Sequence, residues 1–227
     1  MKKLLLLGVI AIFSFNAFSQ TQLGLKFGYN SSKITTAYIT DENKDFIQDF
    51  YKDYTASQSG FNIGFVYTNT TDGVFSFQQE IVFSQRGYED LDIDKGHAGY
   101  SRFNYIDIKP LFNFGGGSDN WRVYAQVGPS VNIWMSKKSY DKDDKFIEKS
   151  DEWDSATADE DGANDIRVSL GLVLGGGFKY KLGPGWALIN PRYELGFTPV
   201  TIVDTGSKGY AIVNRTFSIN LGYLYEF

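Results

Sequence analysis

Val213-Asn214-Arg215-Thr216-Phe217-Ser218-Ile219-Asn220-Leu221-Gly222-Tyr223-Leu224-Tyr225-Glu226-Phe227 splits into two interleaved sets. Its odd positions carry Val, Arg, Phe, Ile, Leu, Tyr, Tyr and Phe, and its even positions Asn, Thr, Ser, Asn, Gly, Leu and Glu. Alternation with period two describes a strand that has one apolar and one polar face. Strands of soluble proteins average about five or six residues. A tilted strand crossing an outer membrane needs roughly nine to eleven, plus ends that reach water. This segment therefore predicts a transmembrane β-strand.

Seven further segments repeat the pattern. Their apolar sets are Leu23, Leu25, Phe27 and Tyr29; Phe61, Ile63, Phe65 and Tyr67; Phe75, Phe77, Ile81 and Phe83; and Ile106, Ile108, Pro110, Phe112 and Phe114. Then come Val123, Ala125, Val127, Val131 and Ile133; Val168, Leu170, Leu172, Leu174 and Phe178; and Ile189, Tyr193, Leu195 and Phe197. Eight strands is an even number, as an antiparallel barrel with both ends on one rim requires. The connections alternate in length. Asn69–Gly73, Gly115–Asn120 and Gly183–Gly185 are short and built of turn formers. Those about Thr36 to Ala56, Tyr88 to Gly99, Ser136 to Asp165, and Val200 to Ile212 are longer. The expected architecture is an all-β, eight-stranded antiparallel up-and-down barrel, with short turns and chain ends in the periplasm and long loops outside.

Ahead of the barrel, Lys2 and Lys3 precede an uncharged apolar run from Leu4 to Phe15 and the small-residue exit Ala17-Phe18-Ser19. This is the pattern of a cleaved export signal over 1–19, too short to anchor comfortably as a spanning helix. The barrel domain is expected over 20–227. The chain has no Cys, which excludes a lipid-anchored lipoprotein and any disulfide framework. The mildly negative mean hydropathy suits a barrel, whose apolar surface is hidden by alternation.

Parity alone leaves open which face meets lipid. The polar sets carry Lys26, Glu80, Arg86, Asp107, Lys109, Arg122, Lys179, Arg192, Glu194 and Glu226. Eight strands enclose only enough room for side chains. Charges of both signs are therefore expected to pair inside, with glycines making room for long neighbours. Lys26, Glu80, Asp107, Lys109, Arg122, Lys179, Arg192 and Glu194 are the expected interior network. A soluble lipocalin-like barrel would reverse the faces and hold an apolar ligand. Against it stand the export signal and the aromatic residues Tyr67, Phe112, Phe114, Trp121, Tyr180, Tyr223, Tyr225 and Phe227. All fall on the apolar parity at one end, where headgroups meet hydrocarbon. Trp134 and Trp186 fall on the inward parity and read as interior plugs or local bulges. Phe227 is the expected assembly signal for the barrel-assembly machinery.

The stretch Asn104-Tyr105-Ile106-Asp107-Ile108-Lys109-Pro110-Leu111-Phe112 resembles the fourth-strand motif of PorT-like outer-membrane β-barrel proteins of Bacteroidota, and Glu80–Tyr88 looks like their third strand. Lys109, between Ile108 and Pro110, departs from the motif. The resemblance covers 20–227. It implies the fold and the membrane, and more distantly a place beside a secretion and gliding system.

Chemistry is sparse. Ser136–Asp165 holds five Lys against eleven Asp or Glu. Two further connections are acidic, through Asp41, Glu42, Asp45, Asp49 and Asp53, and through Glu89, Asp90, Asp92 and Asp94. Such loops read first as solvated surface; Asp159, Asp161 and Asp165 are weak candidates for a surface cation such as calcium. The single His97, with Ser101 nearby, is the one conceivable nucleophile–base pair. No phosphate-cradling loop is present, and Gly175-Gly176-Gly177 reads as close packing or a bend within a strand. One His and no Cys cannot make a conventional transition-metal site. Dispersed basic residues and net charge −5 argue against nucleic acid. The expectation is a non-enzymatic outer-membrane barrel without cofactor, structural or interactive at the surface, and accessory to secretion only as far as the resemblance implies. Its expected partners are membrane lipid, lipopolysaccharide and other envelope proteins. A narrow solute channel is the alternative.

Overall fold

The computed structural model describes residues 20–39, 54–70, 74–92, 96–141, 143, 145–150, 163–165, 167–199, 201–204 and 209–227. The predicted export signal over 1–19, and the candidate cation ligands Asp159 and Asp161, lie outside them.

Among the described residues eleven strands succeed one another: β1 (Gln20–Ile39), β2 (Thr55–Thr70), β3 (Phe75–Asp92), β4 (Gly96–Gly117), β5 (Trp121–Asp141), β6 (Phe146–Ser150), β7 (Ala163–Asp165), β8 (Val168–Leu182), β9 (Gly185–Gly196), β10 (Thr201–Asp204) and β11 (Gly209–Glu226). Eight of them form the wall in the order β1-β2-β3-β4-β5-β8-β9-β11. Antiparallel pairing of β1 with β11, from Gln22–Glu226 up to Ile39–Tyr210, closes the sheet on itself. Closure removes the open edges whose backbone groups lipid would leave unpaired. The fold is the predicted eight-stranded barrel. The three short strands add to one rim only, β6 on β5 and β10 between β11 and β7.

Strand lengths differ from expectation at that rim. The connection expected from Tyr88 to Gly99 is mostly hairpin, since β3 runs to Asp92 and β4 starts at Gly96. The long connection from Ser136 begins as strand, with β5 continuing to Asp141 before β6 and β7. That from Val200 contains β10 and the start of β11. At a rise of about 3.3 Å per residue, β4 is about 70 Å long, far more than a tilted crossing of a band roughly 25 Å tall requires. The excess stands beyond the membrane. There both faces meet water or other chain, so the apolar/polar contrast that marks a strand in sequence fades while the backbone ladder continues.

Bulges add to the loss of phase. Tyr105 pairs with Trp134 but Asn104 pairs with Ser136, so Met135 is an extra residue in β5. The two inward Trp residues are indeed interior: Trp134 and Trp186 are both buried, and Trp134 borders this bulge. By contrast, Lys109 causes no slip, for Glu80–Lys109 and Gln79–Pro110 continue the β3–β4 register unbroken.

The faces are sorted as lipid demands. Leu23, Leu25, Phe27, Phe61, Ile63, Phe65, Ile81, Leu170, Leu174, Ile189, Ile219 and Leu221 are all exposed on the outer wall. At the short-turn end stand Phe112, Phe114, Trp121, Tyr180, Tyr223, Tyr225 and Phe227, also exposed. Lys26, Glu80, Arg86, Asp107, Arg192 and Glu194 are buried. A soluble barrel would have the opposite arrangement.

Candidate functional site: the ion-paired lumen

The side chains that could act are inside, brought together by barrel closure from positions far apart in the chain. Two clusters fill the middle of the lumen. In the first, Glu80 of β3 is the acceptor. Arg192 of β9 grips it with two parallel bonds, Nη1 to Oε2 at 2.7 Å and Nη2 to Oε1 at 2.6 Å. Lys26 Nζ of β1 donates to Oε2 at 2.5 Å, and Gln78 Nε2 to Oε1 at 2.5 Å. Arg192 Nε donates to Asn190 Oδ1, which fixes the guanidinium plane. The bidentate fork is the strong geometry for an Arg–carboxylate pair.

The second cluster is shared by two acids and two bases. Arg86 of β3 donates to Asp107 Oδ2 at 2.5 Å and to Glu194 Oε1 at 2.9 Å. Lys109 of β4 reaches Glu194 Oε2 at 2.8 Å and Asp107 Oδ2 at 3.0 Å. Ser130 Oγ donates to Glu194 Oε1 at 3.0 Å, and Arg86 also reaches Asn132 Oδ1 at 3.3 Å. The Arg86 guanidinium lies 5.2 Å from the centre of the Tyr105 ring.

Of the eight residues expected to line the interior, six belong to these clusters: Lys26, Glu80, Asp107, Lys109, Arg192 and Glu194. The other two, Arg122 and Lys179, stand apart at the short-turn end. Lys179 Nζ donates to Gln22 Oε1 at 3.3 Å and sits 5.4 Å from the Tyr124 ring, while Arg122 lies 5.4 Å from the Trp186 ring. Sequence reasoning placed Arg86 on the polar parity but left it out of the expected network, and it missed the neutral members. Gln78, Ser130 and Asn132 have inward parity, but nothing local separates a network amide or hydroxyl from any other. Lys181, which binds Glu226 at the rim beside Trp186 Nε1, shares the parity of Lys179 and was open to detection on that ground.

Two small cavities lie among the described lumen residues. The cavity lined by Lys26, Asn62, Arg86, Arg192 and Glu194 measures about 10 Å³, and the one at the short-turn end about 30 Å³. Glycines on the inward face are occupied rather than open. A Cβ on Gly177 would stand 2.4 Å from Tyr124 Cζ, so this position has no side chain because the Tyr124 ring lies across it. The close-packing reading of Gly175-Gly176-Gly177 holds there.

His97 and Ser101 lie four residues apart on β4, a backbone separation of about 13 Å at ordinary strand rise. Ser101 Oγ is 3.3 Å from Ser139 Oγ. Among the described residues no cluster of three or more His, Asp or Glu side chains could hold a metal.

A closed, antiparallel, eight-stranded wall with an apolar exterior and an ionic interior defines a transmembrane β-barrel of the outer-membrane type. The model of the outer membrane protein beta-barrel domain family matches residues 15–201, and the chain belongs to that family. No curated protein matches the chain. Among solved structures, the outer membrane protein OprG from Pseudomonas aeruginosa superposes with a TM-score of 0.50 at 12% identity, over 92% of this chain and 98% of that one. Ail, the attachment invasion locus protein of Yersinia pestis, solved in complex with the heparin analogue sucrose octasulfate, gives 0.41 at 15% identity, over 93% and 100%. A major outer membrane protein from Thermus thermophilus gives 0.45 at 13% identity, over 89% and 99%. At this identity the likeness is one of fold.

Proposed function

We propose that this outer-membrane protein is a sealed, non-enzymatic barrel, whose role is to strengthen the envelope and to present its long-loop rim to partners. One observation carries the reading: Arg86, Asp107, Lys109 and Glu194 bridge the lumen from β3, β4 and β9, immediately beside the Glu80–Lys26–Arg192 cluster. A solute would have to break ion pairs that water cannot replace cheaply in so narrow a space. The solute-channel alternative requires open inward glycines, and the filled space over Gly177 speaks against it.

On this reading the rim carrying Gln20 and Phe227 faces the periplasm, and the acidic connections face outward to lipopolysaccharide and other surface molecules. Phe227 serves assembly-machinery recognition. A link to a PorT-type secretion system rests on the Tyr105–Phe112 resemblance alone. The test is planar-bilayer recording of the purified barrel. Silence at millivolt potentials in molar salt is expected, whereas steady unitary conductance would replace the sealed-barrel reading with the channel.

A further inference from the structure

Lys179 and Arg122 are direct cross-strand partners between β8 and β5. Like charges placed opposite each other on a sheet repel. Lys179 is also buried, where water screens little of that repulsion. Its ammonium has three donors to satisfy. The contacts described for it are the single Gln22 acceptor at 3.3 Å and the face of Tyr124. Glu226 on this rim is engaged by Lys181 and by Trp186 Nε1 at 2.7 Å, and Asp119 of the β4–β5 turn is exposed. Glu80, Asp107 and Glu194 are taken up by the two clusters above.

The cavity of about 30 Å³ lies against both cations. Its lining has Gln22, Thr70, Ser76 and Asn113 but no carboxylate among the described residues. Ser76 Oγ accepts from Asn113 Nδ2 at 3.3 Å, which leaves the hydroxyl proton of Ser76 free to donate. Exposed Val74 and Gly116 bring the cavity to the short-turn rim.

We propose that this vestibule binds a phosphate group, seated between Lys179 Nζ and the Arg122 guanidinium with hydroxyl donors beside it. Two fixed positive charges match a dianion. An ammonium with a guanidinium fork suits tetrahedral oxygens better than it suits chloride. The phosphate is either free or carried on a lipid headgroup that reaches over the rim.

Calorimetric titration of the folded barrel in detergent tests this, using potassium phosphate against potassium chloride at matched ionic strength. One saturable site per barrel is expected. Lys179→Met and Arg122→Gln should each weaken binding at least tenfold, Arg122→Lys should restore part of it, and Lys145→Gln on the opposite rim should change nothing. Folding of each variant is checked by its unheated mobility on a denaturing gel. A parallel titration with dihexanoylphosphatidylglycerol separates the sources: binding of this lipid alone, lost in the same variants, assigns the site to a headgroup. Absence of binding by both probes, or binding unaffected by either loss-of-charge variant, overturns the proposal.

Discussion

Glu194 is the residue on which most of the lumen converges, accepting from Arg86, Lys109 and Ser130. Removing one partner from a buried ion pair leaves the others charged and unmatched, at a cost of about 3–5 kcal/mol. Glu194→Ala should therefore lower the stability of the barrel by that amount, read from urea titrations scored by heat-modifiable gel mobility. Ser130→Ala, which removes one hydroxyl, should cost about 1 kcal/mol. Gly177→Ala tests packing instead of charge. Its new Cβ must displace the Tyr124 ring, and a loss of about 1–3 kcal/mol is expected in the same assay. The residue scale is also where the sequence says least about pairing. Inward parity marks Arg86 and Glu194 as lumen residues, but they are 108 positions apart, and only the closed register places their charges at 2.9 Å.

At the level of the strand, alternation was legible wherever one face meets lipid. In β11 the run Phe217, Ile219, Leu221, Tyr223, Tyr225 is exposed, and Asn220 and Leu224 between them are buried. A charge on the outer set near the middle of the band meets hydrocarbon. Leu221→Arg should destabilise by about 2–4 kcal/mol in that urea titration. The same change at Phe227, beside the headgroups, should cost no more than about 1 kcal/mol in folding stability. Illegible were the upper ends of β3, β4 and β5, read as loop from Tyr88 and from Ser136. Above the lipid the outward positions Asn104 and Arg102 of β4 are polar, so the contrast between faces is gone. The extra Met135 then reverses the parity of every later residue in β5.

For the molecule as a whole, two properties of one wall decide everything else: its outer face lies in lipid, and its inner face encloses a packed ionic core. The chain contains no Cys, so single cysteines can be introduced without background labelling. Nitroxide labels placed one at a time from Phe217 to Leu224, in barrels reconstituted in bilayers, can be tested for collision with oxygen, which dissolves in lipid, and with a water-soluble nickel chelate. A period of two is expected, with labels at Phe217, Ile219, Leu221 and Tyr223 open to oxygen. Labels at Ser218, Asn220, Gly222 and Leu224 should be shielded from both reagents by the filled lumen. Free access of the nickel chelate to that second set would mean a water-filled pore, and oxygen access without alternation would contradict the barrel wall itself.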